Sequence, residues 1–508
     1  MTQILSEVTK IRRKVLAEVA SLLFKDRLVE EIESIPVKIT EEGISRYRCC
    51  KYKERAILKE RIKLVLGADL SLVDKEKRLS EVAEEALTGK FDNLESSFIS
   101  IIEEACDHCS IDKIFVTNAC RNCVAHSCVN TCPRDAVKIV NNKAFINQEQ
   151  CIECGLCVQA CHYGAIMEIE RPCSRACSVE AVVPGDKATA SINSEDCVEC
   201  GACIVACPFG AVSFRSDVTR VIRMLKDDSM EVNALVAPSY IGQFGKRVDW
   251  NILKKGLEKM GFSSVHMVAE GADLVIEEEA EELQEKIDNK EGIMFNSCCP
   301  SFKQLVKKYY PELSSNISKT ESPMIKTARI YKSNIAENSR EKSVRCVFIG
   351  PCLAKKNEAA AQEDNILDSV LTYEELTAMF VAAEINLAKL KNQNQSSSNG
   401  DKVKNDGMKI SRDNSSQQLP SISAVNFCAA GGVGAAIRKG SPDREIKVQK
   451  ADGISSCRQL LNRVKKEAVD ADFIEGMGCQ GGCIGGPGTL TKPGTARAIL
   501  KRNTSHIY

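Results

Sequence analysis

A chain of 508 residues exceeds what one hydrophobic core usually serves, so several domains are expected. Lys+Arg and Asp+Glu both number 69, which excludes the basic bias of a nucleic-acid-binding surface. The 26 cysteines fall in C-x2-C groups in a long chain with no cleavable signal segment and no apolar run approaching about 20 residues, so metal sites, no membrane span and a reducing cytoplasm are expected.

Residues 1–105 place apolar side chains at helical spacing (Ile11, Val15, Val19, Leu22; Leu64, Leu66, Leu70) among many charges, predicting a helical N-terminal domain. The adjacent Cys49 and Cys50 read as a reduced pair, since neighbouring residues rarely coordinate one metal.

Residues 106–217 hold sixteen cysteines and predict a ferredoxin-like α+β region. Cys151-x2-Cys154-x2-Cys157-x3-Cys161 and Cys197-x2-Cys200-x2-Cys203-x3-Cys207-Pro208 fit the bacterial ferredoxin run, in which three thiolates hold one 4Fe-4S cluster and the fourth ligates its neighbour. A third run, Cys120, Cys123, Cys128 and Cys132, has one spacing lengthened. Cys132 to Cys151 is 19 residues and Cys177 to Cys197 is 20, the separation of the two halves of a two-cluster fold. Cys106-x2-Cys109 and Cys173-x3-Cys177 look like the split parts of a fourth run, with leftover thiols as the alternative. Two to four accessory 4Fe-4S clusters are therefore expected, carrying electrons. His126 and His162 lie inside these runs and read as bystanders.

Residues 218–508 alternate strands and helices, as in Val232–Val236, then Asp249 to Lys259, then Ser264–Met267, predicting α/β with a parallel sheet. Residues 391–420, rich in Asn, Ser, Gln, Lys and Asp, predict a disordered surface insertion. Ile422 to Phe427 is expected as a strand, followed by a close-packed turn, Ala429-Ala430-Gly431-Gly432-Val433-Gly434, into a helix. That turn lacks the GKS/T ending of a phosphate loop, and Cys428 is expected to face the core.

Three stretches carry the chemistry: Phe295-Asn-Ser-Cys298-Cys299-Pro300, then Ile349-Gly350-Pro351-Cys352-Leu-Ala-Lys355, then Glu475-Gly-Met477-Gly-Cys479-Gln-Gly481-Gly482-Cys483. Each follows a short apolar run that reads as a buried strand, so all three sit where ligands bind in open α/β sheets. Pro300 reads as a first helical position, which makes Cys299 a cap whose thiolate the helix start would stabilise. In order and content the three resemble the signature motifs of the iron-only (FeFe) hydrogenases, over roughly Asn233 to Gly488.

The resemblance implies an α/β H-cluster domain, parallel sheets flanked by helices, behind the ferredoxin-like region. It implies an H-cluster: a 4Fe-4S cubane on Cys299, Cys352, Cys479 and Cys483, with Cys483 bridging to a di-iron subcluster bearing CO, cyanide and a dithiolate. Cys298 is the implied proton-transfer thiol, backed by Glu279, Glu282 and Ser318; without the family match, the two glutamates would read as a charged helix face. Lys355 and Ser239 would hydrogen-bond cyanides and Met477 would pack on the di-iron carbonyls. The implied reaction is the reversible formation of H2 from two protons and two electrons, in an anaerobic setting, fed by soluble ferredoxin or another redox partner and dependent on di-iron maturases. Asn296, Phe302, Gly350 and Met324 replace the usual Thr, Trp, Met and Gln, which is similar to the divergent group B enzymes, of monomeric type. A hydrogen sensor and a non-catalytic iron-sulfur protein sharing the fold are the alternatives; the retained Cys298, Lys355 and Met477 argue against the latter.

Overall fold

The computed structural model describes residues 6–40, 47–92, 94, 96–106, 109, 113–185, 189–338, 342–362, 364–393, 420–442 and 444–505. Two parallel sheets form the C-terminal part. In the first, the strands run Ser264–Met267, Met230–Val236, Ser343–Ile349, Ser369–Leu371 across the sheet; in the second, Met294–Phe295, Phe473–Met477, Val448–Asp452. Their central strands are apolar runs buried on both faces, such as Cys346 to Ile349 and Phe473 to Met477, as helix-covered parallel sheets require. The three motifs lie at the carboxyl ends of the edge strand Met294–Phe295 and the central strands Ser343–Ile349 and Phe473–Met477.

The expected strand at 422–427 is instead the helix Ile422–Asn426. Ile-Ser-Ala-Val-Asn alternates in a way that suits either state, and the cap decides: Ser421 Oγ accepts from Ala424 N–H at 3.1 Å, while Asp273 accepts from the Ser421 N–H at 2.9 Å. Residues 391–393 end the helix Leu387–Gln393; the rest of the expected insertion, 394–419, lies outside the described residues.

The N-terminal region is helical over Glu7–Phe24, Lys51–Val65 and Leu79–Leu87, but it has no core of its own. Val15, Val19, Leu58 and Val82 share one core with Val236, Ile349 and Leu376. Arg12 and Arg13 both pair with the buried Glu374, at 2.7 and 3.2 Å. Within the span expected to be helical, Ile99–Ile101 is a strand, paired antiparallel with Val212–Phe214.

That pairing exposes a nested arrangement. Ile99–Ile101 with Val212–Phe214, and Val182–Pro184 with Ala190–Ile192, make one four-strand unit. Inside its chain span, Ile114–Val116 with Ile166–Glu168, and Val137–Val140 with Lys143–Ile146, make a second unit of the same plan. The inner unit has its own core of Ile114, Val137, Ala144, Ile146, Cys157 and Ile166. The outer unit's core joins Ile99, Ile102 and Cys106 to Cys173, Ile204 and Val212.

Candidate active site

Cys299 caps the helix Pro300–Tyr309 with extended backbone, and Pro300 occupies its first position, where a missing N–H costs nothing. Cys299, Cys352, Cys479 and Cys483 lie within electrostatic reach of one another: each of Cys479 and Cys483 is raised well above an ordinary thiol, first by burial and then by Cys352 and Cys299. Burial likewise pushes Cys352 up to about 12. All four keep some accessible surface although protein encloses each thiol, so that surface faces an internal hollow rather than bulk water. Among the described residues no three His, Cys, Asp or Glu side chains converge on a single metal ion. A four-iron cluster takes one thiolate at each corner and needs this wider set.

Cys298 opens on the same hollow. Burial, then the charge on Glu279, raise its thiol far above the usual value, while the Asn296 amide, donating to Sγ at 3.0 Å, works the other way. Behind it, Glu279 is fully buried on the helix Ala269–Asp288 and accepts at Oε1 from Ser297 N–H (3.0 Å) and Ser297 Oγ (3.1 Å). Its Oε2 has no hydrogen-bond partner among the described residues. Burial pushes this carboxyl up to about 7, poised to take and release a proton near neutrality. One helical turn on, the half-buried Glu282 accepts from Ser318 Oγ at 2.7 Å and from Lys319 N–H at 3.0 Å. Cys298, Glu279, Ser318 and Glu282 thus lead from the hollow towards solvent.

Lys355 is buried with its ammonium on Ser322 Oγ (3.0 Å) and Glu358 Oε2 (2.5 Å). Burial alone would pull its pKa down; the Glu358 carboxylate more than offsets this, so the cation persists beside Cys352 and Cys298. Ser239 sits just beyond the strand Met230–Val236 and bonds Tyr373 Oη at 2.7 Å, with Tyr373 in turn near Cys483. Met477 is buried at the end of its strand, in the core that also takes in Cys298 and Cys299.

The glycines of the third motif allow close packing, both against the helix Pro300–Tyr309 and within the motif's own turn. A Cβ on Gly476 would come within 2.3 Å of the Phe302 ring, and one on Gly485 within 2.0 Å of Gln480 O. Glu475 points its carboxylate back at the Gly431 and Gly434 N–H groups, at 2.6 and 2.8 Å. These amides, the ones a phosphate would need, are therefore already taken. Cys428 is buried and donates its S–H to Val425 O.

The sixteen remaining run cysteines gather into four sets. Cys177 joins Cys197, Cys200 and Cys203, whose thiols are raised first by burial, then by Glu199 at Cys197 and by neighbouring thiols at Cys200 and Cys203. Cys106, Cys109, Cys173 and Cys207 line one small cavity. Cys132 lines another with Cys151, Cys154 and Cys157. Cys161 lies near Cys128 and Cys123, beside Cys120. In each run the fourth cysteine crosses to the neighbouring set, as in two-cluster ferredoxins. Cys200 reaches Cys479 and Cys299, and Pro487 of the third motif packs on Gly201.

The description "Iron only hydrogenase large subunit, C-terminal domain" fits residues 230–487 as a family model, about half of the chain. The chain belongs to the iron-only hydrogenase family. In this hydrogenase-family chain, a 4Fe-4S binding domain is matched at 190–213 and a 4Fe-4S dicluster domain at 112–162. It is 28% identical over 327 residues to the periplasmic Fe hydrogenase large subunit of Nitratidesulfovibrio vulgaris, covering 58% of this chain and 76% of that protein. To iron hydrogenase 1 of Clostridium pasteurianum it is 27% identical over 405 residues, covering 70% and 67%. An apo FeFe-hydrogenase structure from Chlamydomonas reinhardtii overlays with a TM-score of 0.42 at 22% identity, covering 56% and 85%.

Sequence reading missed Ser297, Ser322 and Tyr373 at this site. Short polar side chains give no periodicity or spacing signal, and only the contacts of Glu279, Lys355 and Ser239 pick them out.

Proposed function

We propose that this chain is an FeFe hydrogenase that interconverts two protons, two electrons and H2. Cys299, Cys352, Cys479 and Cys483 would hold the cubane of an H-cluster, and the sixteen run cysteines four accessory 4Fe-4S clusters. When bound, the di-iron part of the H-cluster supplies the site where H–H bond formation and cleavage occur. The protein's own share is to hold that group and to move protons. Cys298 exchanges a proton with the hollow, Glu279 takes or returns it at a carboxyl poised near pH 7, and Ser318 with Glu282 connects that carboxyl to solvent. Lys355 supplies a fixed buried cation to offset thiolate and cyanide charge, and Ser239 and Met477 shape the wall.

The observation that carries this reading is the relay: a scaffold needs thiols but has no use for a buried carboxyl with a free oxygen one step behind a free thiol. The same observation favours catalysis over sensing. Electrons would come one at a time from a ferredoxin-like carrier, and di-iron maturases would complete the site. We assign residues 1–105, 106–217 and 218–508 to a helical region, the accessory-cluster region and the catalytic domain. The described residues hold no helix long and apolar enough to cross a membrane; a reducing cytoplasm suits the free thiols, and cell fractionation tests this. The test of function is the infrared spectrum of anaerobic, matured protein. Metal-bound CO and cyanide bands, with H2 evolution from a reduced dye, are expected; their absence at full cubane loading overturns the reading.

A further inference from the structure

We propose that one two-cluster unit has been threaded into the cluster-binding loop of another, and that electrons come in at the inner unit's far thiol set and pass through both units to the buried site. This rests on the reading of the runs as 4Fe-4S ligands.

The outer unit's first run is Cys106-x2-Cys109, then the inner unit, then Cys173-x3-Cys177. Removing residues 111–171 would leave Cys106-x2-Cys109-Ser110-Pro172-Cys173-x3-Cys177, which is the unbroken ferredoxin spacing. The strand pairings agree: Ile114–Val116 and Ile166–Glu168, at the two ends of the inserted chain, pair with each other, so the insert begins and ends at one place. Each unit also keeps a separate core, with no inner-unit residue in the outer core among the described residues. Cys109 and Cys173 nevertheless face each other across one cavity, though 64 positions apart.

The thiol sets fall into line. Cys177, Cys197, Cys200 and Cys299 pack against one core, and Pro487 of the third motif lies on Gly201, so the Cys177 set adjoins the buried site. Cys203 is buried in one core with Cys106, Cys173 and Cys207, so the Cys106 set is next. At the junction, Lys113 N–H donates to Glu153 Oε1 at 3.1 Å, and Ile114 lines the cavity of Cys132, Cys151, Cys154 and Cys157, which places that set third. The strand from Ile114 runs away from the junction towards Cys120, so the set of Cys120, Cys123, Cys128 and Cys161 lies outermost. Beside it Val124 is 98% exposed and Tyr163 60%. The clusters that these four thiol sets would hold would supply one-electron exchange, and two electrons from a reduced carrier, delivered one at a time at the Cys120 set, would balance the two protons of one H2.

Electron paramagnetic resonance of reduced, anaerobic full-length protein tests the assignment without turnover. Cys109→Ala, Cys173→Ala and Cys207→Ala should each remove the same cluster signal, and Cys177→Ala a different one. If Cys173→Ala and Cys177→Ala remove the same signal, or Cys109→Ala removes none, the threaded arrangement is overturned. Deleting residues 111–171 should cost about eight irons per chain, two clusters of four; a loss of about twelve would mean that the outer set does not re-form and would overturn it. For the direction, reduced ferredoxin should bleach the inner unit of Cys109→Ala at the wild-type rate while reduction of the Cys177 set slows more than tenfold. Equal rates in both units overturn the order. Infrared bands of CO and cyanide, read on the same samples, report separately on the hydrogenase reading.

Discussion

Cys479 and Cys483 of the central site and Cys161 of the inserted unit meet thiolate charge in opposite ways. At Cys479 and Cys483 burial dominates, raising both far above an ordinary thiol, and no backbone amide ranks among the main influences. At Cys161 burial also opposes ionisation, but the N–H groups around Ala165, Tyr163, Ile166 and Gly164 outweigh it and hold the thiol below its usual value. Cys161 draws its stabilising amides from the few residues that follow it. The central site draws on other motifs: Lys355 of the second opposes the rise at Cys483, and the Gly478 N–H of the third donates to Cys299 Sγ at 3.3 Å. The first kind of site is robust and local; the second is an assembly in which single substitutions have large effects.

The largest effect is expected in the relay. Cys298→Ala and Glu279→Gln should each lower H2 evolution by about 10^2 to 10^4, the usual worth of a positioned acid-base group, with iron content and infrared bands unchanged. Loss of those bands instead would assign the residues to holding the cofactor. Because burial raises Glu279 from 4.5 to about 7, its protonated form is the one the fold favours. Evolution should therefore fall as pH rises through about 7. The linked stability is present in full below pH 4.5 and lost as pH rises through about 7, roughly 3 kcal/mol at most. Glu279→Gln should flatten this dependence in thermal melts across that window.

Next is the imported cation. Lys355→Met leaves Glu358 buried and unpaired, which costs about 3–5 kcal/mol, and should reduce cubane loading. Lys355→Met with Glu358→Gln should recover much of the melting temperature but not the activity. If the double variant is active, the ammonium has no role at the site beyond its ion pair. Gly476→Ala tests packing between motifs: with 2.3 Å to the Phe302 ring, about 1–3 kcal/mol of destabilisation is expected, relieved by Phe302→Leu.

Much of this architecture was legible in the sequence because its signals are local. Apolar runs ending in Cys298-Cys299-Pro300, Pro351-Cys352 and Gly478-Cys479 gave the strands, their ends and the helix cap. The resemblance to a known family gave Glu279, Glu282 and Ser318 their places. What stayed hidden depends on long-range pairing. Cys109 and Cys173 were readable as split parts of one run, but not that the chain between them closes on itself through the pairing of Ile114–Val116 with Ile166–Glu168 around a core of its own. Ile422–Asn426 read as a strand because the Asp273 contact that holds its cap comes from 148 residues away. The helical N-terminus read as separate, whereas its apolar face is buried against the catalytic sheet.

The smallest effect concerns Asn296, where this chain departs from its family's usual Thr. Gly476 N–H can only donate, and it does so to Asn296 Oδ1 at 2.7 Å. That fixes which end of the amide is which, so Nδ2 must face Cys298, donating to Sγ at 3.0 Å. An amide nitrogen cannot accept, so the Cys298 proton has to point away from Asn296, towards the hollow or the Glu279 side. A Thr hydroxyl would allow either direction. One neutral hydrogen bond is worth about 0.5–1.5 kcal/mol, so Asn296→Ala should slow H2 evolution about two- to tenfold. Asn296→Asp keeps an acceptor for Gly476 N–H but turns an oxygen towards Sγ, and it should lose more than the alanine variant does. Should the aspartate variant match wild type, the amide sets no direction for the proton, and the site differs from its Thr-bearing relatives in packing alone.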